Sequence, residues 1–70
     1  HIEAPENELQ ELTSKLHTAV GKKVLVITKI KFRYYGELKE VGEYYITIAD
    51  EKSKRNKLIL ITKIEEFEYD

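Results

Sequence analysis

Leu9, Leu12, Leu16 and Ala19 recur at spacings of three and four, and this apolar stripe predicts a helix over Pro5–Val20. Pro5 suits the first helical position, where its missing N–H costs nothing. Glu6, Glu8 and Glu11 load the N-terminal half with charge that favours the helix dipole. Gly21 follows as a terminator, with Lys22 and Lys23 at the end that prefers cations. Such a helix is marginal alone, so its leucine face has to cover something.

From Lys23 onward the period changes to two. Val24, Val26, Thr28, Ile30, Phe32, Tyr34, Gly36 and Leu38 share one phase, and Lys29, Lys31, Arg33, Tyr35 and Lys39 the other. One flat strand of this length would reach roughly 50 Å at ~3.3 Å per residue, too long for so short a chain. A sharp turn is therefore expected around Thr28 to Lys31. Gly36, in the inward phase, reads as the bend of a small barrel. Val41-Gly42-Glu43 reads as a turn, Tyr44–Ala49 as a strand with Tyr44, Ile46 and Ile48 on one side, and Asp50–Asn56 as a charged turn. Lys57–Thr62 follows as a strand, then Ile64–Tyr69 after a tight step at Lys63. The predicted fold is mainly β: an N-terminal α-helix (5–20) followed by a small, strongly bent, five-stranded antiparallel barrel (23–69), all within one domain spanning 1–70.

Composition narrows the chemistry. Seventy residues leave no room for a second core. The absence of cysteine excludes disulfides and cysteine-based metal sites, and His1 and His17 alone do not make a histidine-rich one. His1 stands where a start methionine would, is expected to be a boundary of the product, and is given no function. No apolar run approaches the ~20 residues of a membrane span, so no membrane partner is expected and a cytoplasmic setting is. There is no glycine-rich phosphate loop, no nucleophile–base set and no paired-carboxylate pattern, so an enzyme, a metal or a cofactor is not expected.

The formal net charge is only -1, but the charges are segregated. Residues 1–20 hold four glutamates against one lysine. Residues 21–41 hold six basic against two acidic side chains, and 58–70 hold four acidic against one basic. Lys29, Lys31 and Arg33, in phase with Tyr35, combine cations for phosphate with a ring for base stacking; Tyr45 is a second such ring. Lys52, Lys54, Arg55 and Lys57 form a second basic cluster in a turn. The structural alternative is that these lysines serve solubility and keep sheet edges apart. Leu58, Ile59, Leu60 and Ile61 are apolar in both phases. Together with Phe67 they read either as barrel core or as an oligomer interface.

Residues Leu16 to Asp50 resemble the first motif of the Sm-like (LSm) family, which includes the bacterial Hfq proteins. Gly21, Lys22, Val24 and Val26 follow the helix, Tyr34, Gly36 and Leu38 lie in the second strand, and Tyr44 falls where a large residue is common. The resemblance implies a helix and a bent five-stranded sheet, assembly into rings in which the fourth strand pairs with a neighbour's fifth, and single-stranded RNA as a partner. By place, and with a one-residue slip, Lys63 resembles a basic residue that contacts RNA, although a turn-capping lysine is the better reading of the residue itself. Departures are specific. Gly42 stands at the family's aspartate, Ile46 at the asparagine that holds a base, Thr62 and Lys63 at the arginine-glycine pair, and Ile30-Lys31 at the glycine of the first hairpin. The framework is kept and the RNA-reading residues are not. The expectation is therefore an RNA-associated homo-oligomer using a different basic surface (Lys29, Lys31, Arg33, Tyr35, Tyr45, Lys63). Its alternative is a protein-interaction or assembly module without RNA.

Overall fold

A computed structural model describes the backbone of residues 4–69 and the side chains from Gln10 to Tyr69. His1 lies outside the described residues, and the expectations for the side chains of Pro5, Glu6, Glu8 and Leu9 lie outside the described side chains. Helix α1 spans Ala4–Thr18. It ends two residues before the predicted limit because its last turn tightens. The Ala19 N–H donates to both the Lys15 and Leu16 carbonyls at 3.1 and 3.0 Å, and Gly21 turns the chain at φ 90°.

Five strands follow: β1 Lys23–Thr28, β2 Arg33–Val41, β3 Tyr45–Asp50, β4 Arg55–Leu60 and β5 Ile64–Tyr69, the last two joined by a 3-10 turn, Ile61–Lys63. They form one antiparallel sheet in the order β4-β3-β2-β1-β5. The two outer strands, β4 and β5, do not pair with each other, which leaves an open edge on each. The bend sits in β2, where the pairing with β3 shifts between Leu38 and Glu40.

Leu16 and Ala19 from the helix meet Val24, Val26, Leu38, Ile46, Ile48, Ile59, Ile61 and Ile64 in one core, with Leu12, Tyr34, Val41 and Phe67 packed around it. The helix thus covers the inner face of the sheet, as its leucine stripe required. Ile46, which the resemblance sets where a base-holding asparagine is expected, is wholly buried. It packs in the core.

The predicted turn falls at residues 29–32 and has a cost. Lys31 adopts φ 70°, the left-handed region that glycine normally fills. Thr28 anchors the turn: its N–H donates to the Phe32 carbonyl at 2.8 Å, and its hydroxyl accepts the Phe32 N–H at 3.1 Å. This reversal removes Ile30 and Phe32 from the inward phase in which the alternation put them; they are 80% and 58% exposed. Tyr44 also departs from expectation. It precedes β3 and is 68% exposed, because the turn after Val41 runs on through Tyr44.

Candidate nucleic-acid interface

Two turns distant in sequence meet at one mouth of the barrel. The Lys29 N–H donates to the Lys63 carbonyl at 2.8 Å, which fixes the β1–β2 turn against the 3-10 turn. Both lysines are exposed and make no ion pair among the described residues. Beside them opens a groove of about 530 Å³, walled by Ile30, Phe32, Tyr34, Leu58 and Leu60. The Phe32 and Tyr34 rings pack tilted, 5.8 Å apart. Phe32 is the exposed ring of the two, and cations next to an exposed ring are what a single strand needs: phosphates pair with ammonium groups while bases stack on aromatic faces.

The other expected residues are dispersed. Lys31 turns away, its Nζ 2.7 Å from Glu65 Oε1, so its charge is spent on β5. Arg33 and Tyr35 lie along β2, alternating with the inward Tyr34; Arg33 is exposed and Tyr35 is 47% exposed. Tyr45 opens β3, directly across from Leu60. In the apolar run, Ile59 and Ile61 belong to the core, whereas Leu58 and Leu60 are 66% and 49% exposed. Phe67 is half-buried against the core and stacks on Tyr69 at 5.5 Å.

Phe32 and Ile30 are the site residues that sequence reasoning missed. The signal was a non-glycine pair, Ile30-Lys31, where a hairpin needs a left-handed residue; a phase reversal there exposes its neighbours.

Four carboxylates of the sheet and its turns, Glu37, Asp50, Glu51 and Glu65, have partners. Lys23 pairs with Glu51, and Lys39 approaches Glu37 at 3.6 Å. Hydrogen bonds from Ser53, chiefly through its side chain and then its backbone N–H at 3.1 Å from Oδ2, hold the Asp50 carboxyl below its ordinary range. The Glu51 contact raises the Lys23 ammonium above its ordinary value. No described helix is long and apolar enough to cross a membrane.

No family model matches the chain, and no curated protein does. Among solved structures, the crystal structure of the pleiotropic translational regulator Hfq superposes with a TM-score of 0.61. The match covers 93% of this chain and 97% of that one at 15% sequence identity. Likeness in shape at that identity extends to architecture, and architecture is what the helix, the strand order and the bent second strand already describe: the chain has the Sm-like fold.

Proposed function

We propose that this protein is an RNA-associated, self-assembling Sm-like protein that takes single-stranded RNA at the mouth formed by Lys29, Lys63, Phe32 and Tyr34. One observation carries the reading: the Lys29–Lys63 backbone bond brings two cations, without a carboxylate partner among the described residues, beside the exposed Phe32 ring and the part-buried Tyr34 ring. The family's usual pocket residues are absent, so the chemistry is phosphate pairing and base stacking with little sequence readout. Translational regulation, the role named for the Hfq structure, is the setting we assign to it.

Self-assembly is supported by the two open edges. The β4 edge carries Arg55 and Lys57 with the exposed Leu58 and Leu60; the β5 edge carries Glu65, Glu66 and Glu68. A strand with unpaired backbone groups, apolar side chains and one sign of charge is suited to a strand of opposite charge. This same observation supports the second reading, an assembly module without RNA. Native mass spectrometry with short oligouridine and oligoadenine separates the two. An oligomer with bound RNA, abolished by Lys29→Glu with Lys63→Glu, is the expected result. An oligomer that leaves both oligonucleotides free at modest salt selects the second reading.

A further inference from the structure

Two groups stand out among the described cations. Lys23, Lys31 and Lys39 each have a carboxylate partner, on Glu51, Glu65 and Glu37. Lys15, Lys22, Lys29, Arg33, Lys52, Lys54, Arg55 and Lys63 are exposed and have none among the described residues. Lys15 and Lys22 lie apart, on the helix and just after it, and Arg55 opens β4; the other five fall on connected elements. Lys29 and Lys63 sit at the mouth, Arg33 begins β2 next to Phe32, and Lys52 and Lys54 occupy the β3–β4 turn. That turn is fastened to β2 at the tyrosine that follows Arg33 by two residues: the Glu51 N–H donates to the Tyr35 carbonyl at 2.9 Å.

The turn is also built to present its cations. Its two acids are occupied within the fold, Glu51 by Lys23 and Asp50 by Ser53. The Lys54 N–H closes the turn on the Asp50 carbonyl at 2.9 Å, and Lys54 itself holds φ 63°. The left-handed geometry disfavours a lysine, and turns of this kind ordinarily place glycine or asparagine there. A solubilising lysine could stand anywhere on the surface; this one stands where backbone geometry opposes it.

We infer that the β3–β4 turn is a second phosphate-binding site on the same single strand of RNA, which runs from the Lys29–Lys63 mouth past Arg33 and Tyr35 to Lys52 and Lys54. The inference rests on the RNA reading above and deepens it. The mouth supplies stacking and the turn supplies charge, so the two parts leave different signatures. Removing cations that pair with phosphate lowers the salt dependence of binding and does so equally for every sequence. Removing stacking rings weakens binding and leaves the salt slope in place.

The test is fluorescence anisotropy of labelled oligouridine and oligoadenine across a salt series, with the wild-type chain, the Lys52→Gln/Lys54→Asn variant and Phe32→Ala. Asparagine tolerates the left-handed backbone at position 54, and matching denaturation midpoints confirm that the fold is kept. The expected result is a slope of log K against log salt lower by about 0.7 for each phosphate no longer neutralised, with equal weakening on both oligonucleotides. Phe32→Ala weakens binding at unchanged slope. Wild-type binding with an unaltered slope in the double variant overturns this inference and leaves the RNA reading standing. No binding by the wild-type chain at low salt overturns both.

Discussion

Gly36 and Ala49 cross so closely that a Cβ on Gly36 would lie 1.8 Å from the Ala49 carbonyl oxygen. The atom in the way is backbone, in a strand paired on both sides, and it has no room to yield. This approach lies two residues before the register shift in β2, with Gly36 opposite Asp50 in the register. Gly36→Ala is therefore expected to cost about 3 kcal/mol or more, at the upper end for overpacking. Urea denaturation of the variant measures it. A cost under about 1 kcal/mol would mean that the two strands separate without penalty.

Lys31 carries two opposing terms. Its left-handed backbone costs roughly 1–2 kcal/mol relative to glycine. Its exposed ion pair with Glu65 returns at most about 1 kcal/mol. Replacing Lys31 with glycine removes both, and Lys31→Ala removes only the pair while keeping the strain. The glycine variant should exceed the alanine variant in stability by about 1 kcal/mol, read from their urea midpoints at equal m-values. Equal midpoints would show that the turn relaxes in solution.

That same lysine explains which parts of the structure are legible in the sequence and which are not. Leu12, Leu16 and Ala19 announce the helix because a helix face depends only on local spacing. Alternation places Val24, Val26 and Leu38 inward, where the core holds them. Beyond Thr28 the alternation continues in the letters while the backbone reverses, so the pattern assigns Ile30 and Phe32 to a core they do not enter. The run Leu58-Ile59-Leu60-Ile61 is uninformative for a different reason. With every position apolar, only the pairing of Ile59 with Ile46 decides that Ile59 turns inward and Leu58 and Leu60 do not. The candidate site is the least legible part. Lys29 and Lys63 meet through a backbone bond between distant turns, and no local pattern announces such a meeting.

Asp50 gives the fold an acid-side pH dependence. Its carboxyl is held below its ordinary value of 3.8 by hydrogen bonds from Ser53, so the folded state prefers the charged form. The stabilisation is present above that ordinary value and is lost as pH falls through the lower, folded value. Asp50→Asn should flatten this part of the stability profile, most clearly below about pH 4, while leaving the alkaline side unchanged. Lys23 acts at the other end. Glu51 raises its pKa above the ordinary 10.5, so its contribution is full below that value and fades as pH rises past the folded one. Denaturation midpoints of Asp50→Asn and Glu51→Gln, taken across pH, separate the two effects. An unchanged acid limb in Asp50→Asn would count against the Ser53 hydrogen bonds.

Leu58 and Leu60 test assembly because they are exposed on an open edge and lie outside the core, on the wall of the groove. In a lone chain, lysine at both positions is a surface change, worth less than about 0.5 kcal/mol. In an assembled protein it places charge in the strand-to-strand contact and leaves that interface unformed. Assembly also makes the melting temperature rise with protein concentration, since a bound copy stabilises by mass action. The wild-type chain should show that rise and the Leu58→Lys/Leu60→Lys variant should not, with the variant sedimenting as a monomer. Because neither leucine belongs to the core, the variant's secondary structure should be intact by circular dichroism. A wild-type melting temperature independent of concentration, with a monomeric sedimentation profile, would remove the open β4 edge as a docking surface for a second copy.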